Sequence, residues 1–354
     1  APSPSKRIAL HESAKTTIRD IARLAGVSRS TVSLVINGDP RITDKTRLRV
    51  LKVIEEAGYQ PNTMARSLAQ RRANAAAVIL PATGSHVLAD VYFAEAISGI
   101  SDGLSEAGYR LVIEMATARF LEQSAHRRLL RQGAADGMLL LGTIKEDAYV
   151  SELIESRIPL VLVNTRMPGA SAVYADNRTG AREMVGHLAA LGHRRIAFIG
   201  GLENTTVGED RSRGFLEGLA EAGIPLESDL RLWGNFSEES GAEAARTLLA
   251  RKPRPTALMA ANDMMALGAL RVAQEEFGLR VPGDVTVVGA DDIRLTTYVR
   301  PRLTTIAQPI YEVGRMATQL LLDLLESKSA EPIEKVVPTR LVPRESSGPP
   351  PATR

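Results

Sequence analysis

The sequence predicts an all-α helix-turn-helix head followed by a two-lobed α/β core built on doubly wound parallel sheets. Three observations predict it. Thr17 to Ala57 carries three short helical periodicities separated by caps and a glycine turn. From Ala75 onward, short apolar runs alternate with helical patterns, and after Asp176-Asn177 that alternation starts again. Charge divides between the same two regions: through Arg72 there are 14 Lys and Arg against 6 Asp and Glu, whereas the remainder holds 30 against 35.

At 354 residues the chain can bury a sizeable core and suits two or three domains. It contains no Cys, which excludes disulfides, thiolate metal sites and a cysteine nucleophile. No apolar run reaches transmembrane length, and APSPSKRIALHESAK lacks the apolar stretch of a secretory signal. The expectation is a cytoplasmic, nucleoid-associated protein with no membrane partner, opening on a disordered extension over 1–15. There is no phosphate-loop, HExxH or nucleophile-elbow motif, and His187 and His193 stand six apart, off a shared helix face. No enzyme activity, metal or cofactor is expected. A basic head on an acidic body suggests a polyanion partner, with a merely solvated basic face as the plainer alternative.

In the head, Thr17-Ile-Arg-Asp20 fits a capping box, and a helix through Leu24 buries Ile18, Ile21 and Ala22. Gly26 supplies the tight turn. Ser28 caps a second helix with Val32, Val35 and Ile36 inward and Arg29, Ser30, Ser33 and Leu34 outward. Docked in a major groove, the start of that helix makes Arg29 and Ser30 the base readers. Asn37-Gly38 is a turn, and Thr43 caps a third helix with Val50, Val53, Ile54 and Ala57 inward.

The run TIRDIARLAGVSRSTVSLVINGDPRITDKTRLRVLKVIEEAGYQPNTMARSLA resembles, nearly residue by residue, the DNA-binding head of the LacI/GalR repressor family. A generic three-helix bundle would explain the apolar stripes but not the ordered turn, caps and outward polar positions. The resemblance implies a head over 16–60 whose DNA contacts come from Thr17, Ser28, Arg29, Ser30, Thr31, Ser33, Leu34 and Asn37. It also implies a hinge helix over 61–73 that folds when two subunits meet over DNA. There Leu68 wedges into a minor-groove base step, Asn62 and Ala65 approach the groove, and Arg66, Arg71 and Arg72 neutralise phosphates. An ordinary interdomain linker is the alternative. Family members usually carry an arginine where this chain has Leu34; an apolar side chain cannot make that guanine contact, so the operator differs at that base pair.

In the body, AAAVILP, YRLVIEM, GMLLLG and PLVLVN read as buried strands, with helices near 92–107, 120–132 and 146–156. RRIAFIG, ALMAA and DVTVVGA are strands of the second half, with helices near 178–191, 207–222, 237–250 and 263–277. Two such halves suggest a cleft that takes ligands at the carboxyl ends of the strands. The resemblance extends here to the family's periplasmic-binding-protein-like core, over 74–344. It implies crossovers near Asp176, Gln308 and Arg340: lobe 1 about 74–175 and 309–340, lobe 2 about 176–308 and 341–344, with a disordered tail over 345–354.

Effector contacts follow from the same resemblance: Tyr92 and Phe93 at the first core helix, Arg211 in DRSRGF, Phe236 in GNFSEESG, Asn262 and Asp263 in AANDMMALG, and Asp291 in VVGADD. The chemistry agrees, since carboxylate and amide groups with an arginine fork suit vicinal hydroxyls, and an aromatic wall covers a sugar face. Each has a plain alternative as core or cap. The aromatic trio resembles the family's purine-responsive member, but 203–207 lacks that member's arginine and threonine at the corresponding positions, which favours a sugar or sugar derivative. A solute-binding protein without a DNA role is disfavoured by the basic head. Ile310 to Leu325 reads as an apolar helix that in the family contributes to a dimer interface, with an ordinary lobe helix as the alternative; no heptad tail follows, so a homodimer on a palindromic operator is expected.

Overall fold

The computed structural model describes residues 16–36, 38–59, 72–82, 90–327 and 331–352. The chain divides into two compact units, with the break between Arg71 and Arg72.

The first unit is three helices, α1 (Ile18–Ala25), α2 (Arg29–Ile36) and α3 (Asp44–Glu56). Ile21, Ala22, Ala25, Val32, Val35 and Val50 form its core, with Ile18, Ile36, Val53, Ile54 and Ala57 packed at the margin. Gly26 ends α1 at φ 61, a left-handed conformation that costs glycine little. Thr43 precedes α3, but its hydroxyl donates to Thr46 Oγ1 at 3.1 Å and caps no backbone N–H.

The second unit holds two parallel sheets. Lobe 1 is built on β1 (Ala75–Pro81), β2 (Arg110–Ala116), β3 (Gly137–Leu141), β4 (Leu160–Val163), β5 (Ser171–Ala175) and β11 (Glu334–Val337), in the order β11-β5-β4-β3-β1-β2. Val78 of β1 faces Ile113 on one side and Leu139 on the other. Alternate residues of β1 feed two cores: Ala76, Val78 and Leu80 into one, Ala77 and Ile79 into the other. Both faces are therefore covered, as continuous apolar runs require. One face carries α4 (Val91–Glu106) and α12 (Ile310–Glu326), the other α5 (Ala118–Glu122), α6 (Ala125–Arg131) and α7 (Ala148–Glu155). The single helix expected near 120–132 is two, separated by Ser124 at φ 46.

Lobe 2 is built on β6 (Ile196–Gly200), β7 (Arg231–Trp233), β8 (Ala257–Ala260) and β9 (Thr286–Val288), ordered β7-β6-β8-β9. Its helices are α8 (Asn177–Ala190), α9 (Thr206–Glu221), α10 (Glu238–Leu249) and α11 (Asp263–Arg271), the last passing into a π turn over Val272–Glu276. An antiparallel pair, β10 (Thr305–Ala307) with β12 (Arg340–Val342), completes it. The chain passes between lobes after Ala175, between Ala307 and Ile310, and between Val337 and Arg340.

The apolar face of α12 is consumed inside lobe 1: Ile310, Val313, Ala317, Leu320 and Leu321 are buried against α4 and the sheet. The helices meet at backbone distance, since a Cβ on Gly314 would lie 2.4 Å from Ala96 O. One expectation is corrected here, that of a disordered tail over 345–354. Ser346 is fully buried, donating to Val287 O at 2.6 Å and accepting from Thr304 N at 2.8 Å, while Gly348 O accepts from His193 Nε2 at 2.9 Å. A buried serine with both roles satisfied anchors a segment as a strand residue would.

Candidate functional site

In the head, local hydrogen bonds hold α1 and α2 at their starts. Thr17 accepts from Asp20 N and Asp20 from Thr17 N at 3.0 Å, closing the capping box. The Thr17 hydroxyl, donating to Asp20 Oδ2 at 2.7 Å, and then the Thr17 N–H hold the Asp20 carboxyl below its ordinary pKa. Ser28 Oγ accepts from Thr31 N at 3.1 Å, which caps α2 and draws Thr31 Oγ1 to 2.9 Å. Arg29 and Ser30 lie exposed beyond that cap, with no hydrogen-bond or ion-pair partner among the described residues. Thr31, Ser33 and Leu34 are half-buried. Asn37, Asn62, Ala65, Arg66 and Leu68 lie outside the described residues.

In the second unit, the expected effector residues converge at the carboxyl ends of strands in both lobes. Arg211, on α9, is only 3% exposed, so each of its donors needs an acceptor. Nε donates to Asn177 Oδ1 at 2.8 Å, Nη1 to Ala261 O, and Nη2 to Asp291 Oδ1 at 2.6 Å. Asp291 also accepts from Gln308 Nε2 at 2.5 Å. Burial raises the Asp291 pKa, and the facing guanidinium and amide pull it back.

Gln308 Oε1 accepts from Asn164 Nδ2 at 3.0 Å, and the same amide donates to Tyr92 OH at 2.6 Å. A continuous chain of hydrogen bonds therefore runs from the lobe 1 aromatic to the lobe 2 arginine. Burial raises the Tyr92 hydroxyl well above its ordinary pKa, so it stays neutral. Tyr92 and Phe93 meet edge to face with centroids 5.3 Å apart.

Phe236 covers Gly201, where a Cβ would sit 2.1 Å from its ring. Asn262 caps α11 by accepting from Met265 N at 3.0 Å and donates to Phe236 O at 3.0 Å, so cap and positioning role coincide. Asn164, Phe236, Asp291 and Asp292 all take positive φ, at 54, 69, 125 and 62. Non-glycine residues avoid that region unless their surroundings enforce it, and such residues gather at ligand sites.

Asp263 has a structural role: it is fully buried, Oδ2 accepting from Ile293 N at 3.0 Å and Oδ1 from Thr305 Oγ1 at 2.6 Å, so it braces lobe 2. Burial first, then the Asp291 charge, pushes its carboxyl up to about 8.

Asn164, Asn177, Gln308 and the residues joining the lobes were missed. Lys145 Nζ meets Glu209 at 2.6 Å, and Arg166 grips Asp210 through two bonds of 2.5 and 2.8 Å. Thr165 and Thr206 hydroxyls pair at 3.0 Å. The signal was present: Asn164 ends the apolar run PLVLVN, the same kind of position that singled out Asp291. Inside lobe 2, a cavity of about 10 Å³ lies among Asn177, Arg211, Ala261 and Ile306, room for one water. A larger cavity of about 280 Å³ lies at the amino ends of β4 and β5, beside Arg157 and Gly169, away from these groups. Among the described residues no cluster of His, Asp and Glu could hold a metal, and no helix is long and apolar enough to cross a membrane.

Residues 17–62 match the family described as bacterial regulatory proteins, lacI family, and residues 185–347 match the periplasmic binding protein-like domain. The HTH-type transcriptional regulator CelR of Thermobifida fusca is 37% identical over 339 residues, covering 94% of this chain and 98% of that protein. A structure of a CelR–cellobiose complex superimposes with a TM-score of 0.73 at 35% identity, covering 94% of this chain and 100% of the other. The HTH-type transcriptional repressor PurR of Erwinia tasmaniensis is 37% identical over 319 residues, covering 89% and 92%. The lac repressor dimer bound to operator and the anti-inducer ONPF gives a TM-score of 0.81 at 28% identity, covering 94% and 98%.

Proposed function

The chain belongs to the lacI family of bacterial regulatory proteins, and from that membership we propose that it is a cytoplasmic, nucleoid-associated repressor that binds a palindromic operator as a homodimer and answers a sugar or sugar derivative held between its lobes. The observation that carries the DNA reading is the start of α2, where Arg29 and Ser30 stand exposed and unpaired on a capped helix that a major groove admits. Ser28 and Thr31 hold that start in place, and Thr17 caps α1. Asn62, Ala65, Arg66 and Leu68 supply the hinge contacts of this reading.

The effector reading is supported by the gathering of Tyr92, Phe93, Arg211, Phe236, Asn262 and Asp291 at strand ends. Arginine fork, carboxylate and amide suit vicinal hydroxyls, and aromatic rings suit the apolar face of a pyranose. The similar structure of a CelR–cellobiose complex supports a carbohydrate. A purine is the second reading, favoured by the aromatic trio and by the PurR relative. Ligand that parts or re-seats the lobes changes the spacing of the paired hinges and hence operator affinity.

Calorimetric titration of the full chain with a carbohydrate and nucleobase panel tests the effector. Binding of a sugar is expected, and tight binding of hypoxanthine or guanine in its place would overturn that preference.

A further inference from the structure

Both sheets reverse their strand order at one place, between β1 and β3 in lobe 1 and between β6 and β8 in lobe 2. In doubly wound sheets the crevice outside the carboxyl ends at such a reversal is where ligands bind. Asn262 and Phe236 occupy that position in lobe 2. In lobe 1 it belongs to Gly142 and Thr143, which follow β3 directly.

The residues on either side of Thr143 meet the aromatic wall and the opposite lobe. A Cβ on Gly142 would come within 3.0 Å of Phe93 Cζ, and two residues past Thr143 the Lys145 N–H donates to Asn204 O of lobe 2 at 3.0 Å. Thr143 is 3% exposed, yet its Oγ1 has no hydrogen-bond partner among the described residues. A buried hydroxyl left unmatched is a standing cost that folds seldom carry without reason.

We infer that Thr143 is a specificity-determining contact for an uncharged polar group of the ligand between the lobes, an inference that rests on the effector reading above. The uncharged class follows from the neighbouring cations. Lys145 is matched by Glu209 at 2.6 Å, Arg166 by Asp210 at 2.5 Å and Arg211 by Asp291 at 2.6 Å. With the lobes joined as here, none of the three is left to neutralise a phosphate or carboxylate, and an anion taken out of water without a counter-charge binds poorly. A hydroxyl that both donates and accepts instead suits a sugar hydroxyl, a ring oxygen or a carbonyl.

The test compares Thr143→Val, which keeps the side chain's shape and removes the hydroxyl, with Thr143→Ser, which keeps the hydroxyl. Each full-length protein is melted alone and with cellobiose, glucose, glucose 6-phosphate or hypoxanthine. Binding is followed through the fluorescence of Trp233, the one Trp of the chain, whose ring packs on Gly200 beside the Phe236 platform. The valine variant should melt at or above the wild-type temperature when alone. It should bind the neutral probe that the wild type accepts about tenfold more weakly, with the serine variant restoring affinity.

A valine variant that binds like wild type overturns the inference. So does one that melts several degrees lower alone while the serine variant does not, because the hydroxyl then serves the fold. Preference for glucose 6-phosphate over glucose overturns the uncharged class. Hypoxanthine as the bound probe removes the sugar reading and leaves Thr143 to be judged by the same pair of variants. A wild type that answers none of the four overturns the cleft reading and this contact together.

Discussion

Single residues carry the chemistry, and neighbours of similar type do different things. Arg29 stands beyond the Ser28 cap with nothing to hold it, so its guanidinium is available to a guanine edge. Arg29→Ala should cost about 1–3 kcal/mol concentrated at one base pair, measured across single-base operator variants; a uniform loss over all of them would assign it to the backbone instead. Asn262 and Asp263 are adjacent and equally polar, but one caps α11 toward the Phe236 loop and the other is sealed inside lobe 2. With its carboxyl pushed up to about 8, Asp263 keeps its proton in the fold at pH values where the unfolded chain has lost it. Its contribution to stability therefore falls as pH rises from the ordinary carboxylate range to about 8, and is level above that. Asp263→Asn should flatten that slope in urea unfolding followed across the interval, and an unchanged slope would refute the assignment.

This residue-scale difference was not legible in the sequence, because burial is set by Ile293 and Thr305, residues far along the chain. The same holds for Asn164, whose partner Gln308 is 144 residues away. What could be read was local chemistry, in Thr17 with Asp20 and in Ser28 with Thr31, three residues apart.

At the scale of elements, caps and long apolar runs announced themselves and short edge strands did not. Thr17→Ala should destabilise the head by about 1 kcal/mol, since it opens one half of a reciprocal cap at the entry to α1. Thermal unfolding followed by circular dichroism measures it, and the matching change at Thr43, whose hydroxyl caps nothing, should cost less. β1, β3 and β4 were visible because both faces are buried and every residue is apolar or small. β7 and β10 have three residues each, and β11 alternates exposed positions with half-buried or buried ones, so none leaves a run to recognise. Pro343 directly follows β12, which ends the pairing that a longer strand would have continued. The anchoring of 345–348 was hidden for another reason: Ser346 and Gly348 are loop-like residues, and their partners Val287, Thr304 and His193 lie in lobe 2.

At the scale of the whole molecule, the lobes of the second unit are joined by polar groups and not by a continuous apolar core. Lobes 1 and 2 keep separate hydrophobic clusters, and Arg166–Asp210, Lys145–Glu209 and Thr165–Thr206 span the seam. Polar pairs between rigid lobes permit hinge motion that a shared core would resist. Arg166→Ala should favour the parted arrangement, seen as a larger radius of gyration in small-angle scattering together with a changed sugar response; an unchanged radius would show that the pair does not hold the lobes. The two-lobed plan was legible from the restart of the strand rhythm after Asp176, whereas the seam was not, since every bond in it links residues at least 40 apart.

The claim that unites these scales is that an exposed reading helix on a small head obeys a sugar-gated core. Selection of full-length protein against a random duplex library at moderate salt, with and without cellobiose, tests it most directly. The account predicts enrichment of a two-fold symmetric site whose affinity changes when the sugar is present. A protein that prefers no palindromic duplex over bulk DNA, whatever metabolite is supplied, would contradict it.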